Sequence, residues 1–194
     1  MKKHLKLGAF FYSAYTYNES TTMAKRVSMD AISKLKIQLS KPRMSVAEKL
    51  RVICCTIHNL VPSADRVSLW VFDKELTEIK SLILLADRQY HFTPIVLKKS
   101  DFPGYFEHIL KYETLMASDA REHPSTTCFN HLYFEPNDIH SLLDFVIQKD
   151  FEPIGIICCE AVGEIALWQQ EDIDVMKRIA QISDLFLGQQ LEHH

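Results

Sequence analysis

The chain has 194 residues, 47% hydrophobic and 24% charged, with a formal net charge of −3. That composition belongs to a globular protein able to bury a core without metals or disulfides to staple it. Five glycines and seven prolines are too few for collagen, linker or disordered classes. No uncharged stretch, Leu7–Asn18 included, reaches the roughly 20 apolar residues that a membrane span requires, so none is expected.

Charge is unevenly spread. Residues 1–50 hold ten Lys/Arg against three Asp/Glu, whereas residues 51–190 hold twelve against twenty-one. A basic start suits a nucleic acid, a membrane surface or an acidic partner. No aromatic-rich strand reader or basic recognition helix accompanies it, so it reads as a solvated helical face, with no nucleic-acid partner. Residues 1–14 imitate a secretory leader, but Tyr12, Ser13, Tyr15 and Tyr17 interrupt the apolar region. Five cysteines, with two adjacent pairs at Cys54-Cys55 and Cys158-Cys159, fit neither a disulfide framework nor a zinc knuckle. A cytoplasmic location is expected. Leu191–His194 read as a purification-tag remnant, which leaves an extension and helix over 1–44 and a domain over 45–190.

Ile32, Leu35 and Leu39 predict a helix over about Met29–Leu39. Ser45-x-x-Glu48 is a capping box, and Val46, Leu50, Ile53, Ile57 and Leu60 form the stripe of a second helix, closed by Val61-Pro62. From Arg66 the period becomes two, and both sides of Val67–Phe72 are mostly apolar, as in a central strand covered on both faces. Ile79–Ala86 and Tyr90–Leu97 follow as second and third strands of an antiparallel meander. Ser100 is the expected cap of a helix carrying the pairs Phe102/Phe106 and Tyr105/Ile109. Leu115–Ala117 is a short strand, and residues 118–140 form a long loop with a short helix near Cys128–Phe134. Loops of that length in compact domains are often functional. Ser141–Gln148 and Pro153–Ala161 return as strands around a Lys149-Asp150 turn, before a helix over about Gln170–Leu187. The result is an α+β domain with one antiparallel sheet, the first and last helices on one face, and a helix and loop roofing a pocket on the other.

Several segments resemble a bacterial GAF sensory domain of a signal-transduction protein. They are Ser141–Ile147, Pro153–Gly163 and Trp168–Ile173 at the end of the chain, Ala64–Asp73 as a first strand, Ser100–Glu107 as a pocket helix, and Asp119–Pro124 as the loop after a fourth strand. The resemblance covers roughly residues 45–188. It implies a profilin-like, six-stranded sheet ordered 3-2-1-6-5-4 and a regulatory role in sensing a small molecule, in dimerising, or both. It further implies an output domain such as a histidine kinase or a diguanylate cyclase. The motif of the cyclic-nucleotide-binding members is missing, so cyclic GMP is not the expected ligand.

Alternation turns Ser68, Trp70 and Phe72 towards the roofed face, and Glu160 and Asp144 sit in otherwise apolar strands. Each carboxylate either faces a polar ligand or makes a structural bond to backbone or to Arg66. Tyr105, Phe106, Phe129 and Tyr133 are candidate walls, though aromatic side chains at helical spacing also build cores. With Asp119 from the matched loop, the candidate ligand-binding residues are Ser68, Trp70, Phe72, Tyr105, Phe106, Asp119, Phe129, Asp144 and Glu160. The six histidines of the domain lack metal-ligand spacing, so no metal or cofactor is expected. Cys128, in the long loop, raises a competing reading as a thiol enzyme of the GAF-type sulfoxide-reductase kind. The last helix carries two stripes, Ile173/Met176/Ala180/Ser183/Leu187 and Val175/Ile179/Ile182/Phe186. Either a partner copy covers the second stripe, giving a parallel homodimer through the terminal helices, or the first helix of the same chain does. A degenerate, ligand-free dimerisation module is the remaining alternative.

Overall fold

The computed structural model describes residue 26 and residues 28–191, with side chains up to residue 186. The leader-like segment, residues 192–194 of the tag remnant and the side chain of Leu187 lie outside the described residues. Helix α1 spans residues 28–39 and buries Leu35 and Leu39. Helix α2, Val46–Leu60, opens with the expected capping box. Glu48 N donates to Ser45 Oγ at 3.3 Å while Ser45 N donates to Glu48 Oε2 at 2.7 Å. Its buried stripe is Leu50, Ile53, Cys54 and Ile57; Val46 is exposed because it lies in the first turn, beyond the edge of the sheet's cover.

Strands β1 (Arg66–Phe72), β2 (Glu78–Ala86), β3 (Gln89–His91), β4 (Val96–Lys98), β5 (Thr114–Ala117), β6 (Ile139–Lys149) and β7 (Glu152–Val162) form one sheet. Its path is β3-β2-β1-β7-β6-β5, with β4 also on β2. Every pairing is antiparallel. The expected order holds, but the expected third strand is two. Pro94 has no N–H to give a ladder, so the chain leaves β2 after His91 and rejoins it at Val96. The gap is bridged by Ser81, whose N donates to Ile95 O and whose Oγ accepts from Ile95 N, both at 2.8 Å.

Helix α3, Pro103–Tyr112, starts after Phe102 with no side-chain cap. Ser100 is not the cap: its hydroxyl donates to Asp101 Oδ1 at 3.1 Å, and Pro103 needs no capped N–H in the first turn. The β6–β7 hairpin turns at Asp150-Phe151, one residue later than expected, with φ of 51° and 69°. A two-residue hairpin of this hand needs two left-handed residues. Between β5 and β6 the chain makes a 3₁₀ turn at Thr127–Phe129 and a π turn at Asn130–Phe134, and α4, Gln170–Leu191, closes the domain.

Two cores result, one on each face. Val67, Leu69, Val71, Leu143, Ile157 and Cys159 pack beneath α1, α2 and α4. Trp70, Phe72, Leu142, Val146, Ile156 and Cys158 pack beneath α3 and the long loop. No helix among the described residues is long and apolar enough to cross a membrane.

Candidate functional site

On the second face a cavity of about 350 Å³ remains between sheet, α3 and loop, within the size range of small-molecule sites. Its floor comes from four strands, with Ile79 supplied by β2. Trp70 rises from β1, Leu142 and Asp144 from β6, and Cys158 and Glu160 from β7. Antiparallel register places Asp144 opposite Cys158 and Leu142 opposite Glu160, so the two carboxylates sit diagonally on one surface. Tyr105 and Phe102 come down from the roof, while Phe129, Leu132, Tyr133 and Phe134 close the side through the two short turns. Ile95, Val96 and Leu97 form the opposite rim. Ile95 and Val96 are each 46% exposed and Leu132 is 80% exposed, which marks the mouth.

The walls are rigid for identifiable reasons. Phe102 stacks on Phe129 with centroids 4.6 Å apart, and Tyr105 meets Phe129 edge-on at 5.1 Å. The loop behind them is pinned to the sheet. Arg121 Nε donates to Ile139 O at 2.8 Å, Asn130 Nδ2 to Arg121 O at 2.8 Å, and the buried Thr126 Oγ1 to Ala120 O at 2.6 Å. These bonds satisfy backbone groups that a loop cannot pair by itself.

The two carboxylates are held differently. Glu160 Oε2 lies 2.9 Å from Arg66 Nε. The contact is an ion pair off the line of the N–H bond, since neither atom has an aligned hydrogen-bond partner. Burial raises the Glu160 pKa above its ordinary value, although the Arg66 charge and the Tyr133 hydroxyl pull it down. Arg66 also donates to Asn137 Oδ1 at 2.9 Å and to Tyr133 Oη at 3.2 Å. Glu160 therefore has the Arg66 partner that its sequence position allowed. Asp144 has no cation. Its Oδ2 accepts from Tyr105 Oη at 2.6 Å, and its Oδ1 has no hydrogen-bond partner. Burial pushes its pKa up to about 7, moderated by the Tyr105 and Cys158 hydrogen bonds. Tyr105 and Cys158 are raised well above their ordinary values by burial and by the Asp144 charge, so both remain protonated.

Of the nine candidate residues, Trp70, Tyr105, Phe129, Asp144 and Glu160 line the cavity. Four do not. Ser68 is buried and accepts from Trp70 Nε1 at 2.8 Å, holding the indole plane. Phe72 and Phe106 meet edge-on at 6.4 Å inside the second core. Asp119 serves the loop, its backbone oxygen accepting from His123 N at 3.1 Å. Alternation assigned the right face to each strand residue but not its depth along the strand. Cys158, Leu142 and Phe102, which alternation and the pocket helix place on this face, also line the cavity without being among the candidates; Leu132 and the Ile95–Leu97 rim carry no such signal beyond Pro94 within a predicted strand. Cys128 is exposed and outside the lining, and partial burial raises its thiol pKa.

No protein-family model matches the sequence, and no curated protein matches it. Solved structures do. The GAF domain of a phosphoenolpyruvate-protein phosphotransferase from Coxiella burnetii superposes with a TM-score of 0.64 at 16% identity, over 84% of this chain and 93% of that one. Free methionine-R-sulfoxide reductase from Neisseria meningitidis, in complex with its substrate, gives 0.65 at 10% identity, over 86% and 90%. The chromophore-binding domain of a Stigmatella aurantiaca bacteriophytochrome gives 0.62 at 15% identity, over 84% and 60%. The chain therefore has the GAF fold.

Proposed function

We propose that this protein is a regulatory GAF-type sensor domain, in which a small molecule bound in the cavity biases the packing of the terminal helices and so controls an output domain or partner. The cavity itself carries the reading. It keeps about 350 Å³ beneath aromatic walls where a purely structural domain would fill the space, since protein interiors otherwise pack like organic crystals. Strands β6 and β7 connect the faces: Asp144 and Glu160 project into the cavity, and the alternate residues Leu143, Ile157 and Cys159 pack in the core beneath α4. A differential of only ~1–3 kcal/mol between two helix packings suffices for signalling. A histidine kinase or a diguanylate cyclase is the proposed kind of output, in a cytoplasmic setting.

Native mass spectrometry and thermal shift against a metabolite library test the ligand half. A bound ligand at 100 times its Kd adds about 2.7 kcal/mol of stability. Leu142→Trp, which fills the floor, should abolish the shift. If no compound shifts the wild-type protein, the sensor reading fails.

One competing reading is enzymatic, because two solved neighbours are free methionine-R-sulfoxide reductases, from Neisseria meningitidis and Thermoplasma acidophilum. The position of Cys128 outside the cavity and its raised pKa count against it, because thiol chemistry needs an available thiolate. Sulfoxide turnover that Cys128→Ser abolishes would restore it.

A further inference from the structure

Resting on the sensor reading, one step further concerns the ligand's chemistry. We propose that the cavity takes a largely apolar amine, with its protonated nitrogen at Asp144 Oδ1 and its hydrocarbon body between the aromatic walls.

Three observations converge. The first is the orphan oxygen. Asp144 lines the cavity and is 1% exposed; Tyr105 occupies Oδ2, and the buried Oδ1 has no partner. Leaving such an acceptor unpaired is costly, so a donor reaching it gains what the fold has left unmade. The second is charge. Among the described residues, the lining contains two carboxylates and no Lys, Arg or His. The cation beside Glu160, Arg66, is already divided among Glu160, Asn137 and Tyr133. An anionic ligand would meet unpaired negative charge and no free cation, whereas an ammonium group would meet a carboxylate. The third is the wall. Trp70, Tyr105, Phe129 and Tyr133 present ring surfaces, whose negative faces attract cations and accommodate apolar groups.

Binding of this kind moves a proton. The groups around Asp144 are Tyr105 from α3, Cys158 and Glu160 from β7, Tyr133 from the π turn, and Arg66 from β1. Tyr105 and Cys158 stay protonated, so Asp144 is the group that ionises when a cation arrives. Below its apparent pKa of about 7, ammonium binding releases a proton from Asp144; above it, little is released. Affinity therefore rises as pH increases from 6 to 8. A ligand carbonyl accepting from protonated Asp144 would give the reverse trend.

Titration calorimetry with tryptamine and its acidic counterpart indole-3-acetate, in two buffers of different ionisation heat at pH 6 and pH 8, is the test. Tryptamine should bind and indole-3-acetate should not, with proton release at pH 6 that is largely lost at pH 8. Asp144→Asn should weaken tryptamine by about 10- to 100-fold; the release measurement needs no variant. Equal or tighter binding of indole-3-acetate, unchanged tryptamine affinity in Asp144→Asn, or proton uptake at pH 6 would each overturn the amine assignment. If acidic or neutral library compounds bind and Leu142→Trp removes them, only the amine assignment falls. If nothing of any charge binds, the sensor reading falls with it.

Discussion

At Asp144, burial opposes ionisation, the Tyr105 hydroxyl favours it, and the charge of Glu160 opposes it again. Burial wins, and stability follows by linkage. An unfolded Asp titrates near pH 3.9 and the folded one near 7. Between those values the folded state holds the extra proton, so this group's contribution falls as pH rises from about 4 to about 7 and is flat above. The integrated effect is at most roughly 4 kcal/mol. Asp144→Asn removes the ionisation while keeping a hydrogen-bonding oxygen for Tyr105. Urea unfolding should find the variant close to wild type at pH 4 and more stable by a few kcal/mol at pH 8; an equal difference at both would mean that Asp144 does not titrate this way. Glu160 behaves oppositely towards loss of its partner. Arg66→Met strands a buried carboxylate and should cost about 3 kcal/mol at pH 8, most of it recovered by adding Glu160→Gln. Chemical denaturation of the single and double variants measures the coupling, and a merely additive double would refute it. Both carboxylates were visible in the sequence as polar residues in apolar strands. Their division into one paired and one unpaired group was not, because it depends on Arg66 from β1 reaching Glu160 on β7 while no basic side chain among the described residues reaches Asp144.

The elements that declared themselves carry local signals. The capping box at Ser45 and Glu48, the alternation of β1 and the stripe of α2 each depend on neighbours within a few residues. Ser45→Ala should cost about 1 kcal/mol of global stability by removing the acceptor for Glu48 N. The β6–β7 turn is set by tertiary pairing against local preference. Phe151 is 93% exposed and held at φ 69°, a conformation that suits glycine. Phe151→Gly should therefore raise stability by about 1 kcal/mol, and a lower melting temperature would show that the ring has contacts worth more than the strain. At Gly155 the constraint is contact: a Cβ there would collide with the backbone oxygen of Trp70. Gly155→Ala must push β1 from β7 beneath the cavity floor, costing about 1–3 kcal/mol as overpacking does. The split third strand shows the limit of periodicity. Tyr90–Leu97 alternates well enough, but the missing N–H of Pro94 and the Ser81 hydroxyl that accepts from Ile95 N act across strands.

For the molecule as a whole, the face bearing the terminal helices is less open than the two stripes of α4 suggested. Val175 and Ile179 from one stripe, and Met176, Ala180 and Ser183 from the other, are buried within the same chain. The proposed homodimer accordingly relies on what stays outside, such as Ile37, 66% exposed on α1, and Leu185, 67% exposed on α4. Light scattering at micromolar concentration should give twice the chain mass; a strict monomer removes the dimer, and an Ile37→Glu, Leu185→Glu double variant should be monomeric. What the sequence by itself determined is the layered α+β architecture and which face each strand residue occupies, because hydrophobic period, caps and turn residues act over short spans and leave few ways to bury the stripes. The existence, depth and charge of the cavity were decided only by tertiary structure. Those properties arise where β1, β6, β7, α3 and the 118–138 loop meet, and whether the space between them is filled depends on residues far apart in the chain arriving within a few ångströms of one another.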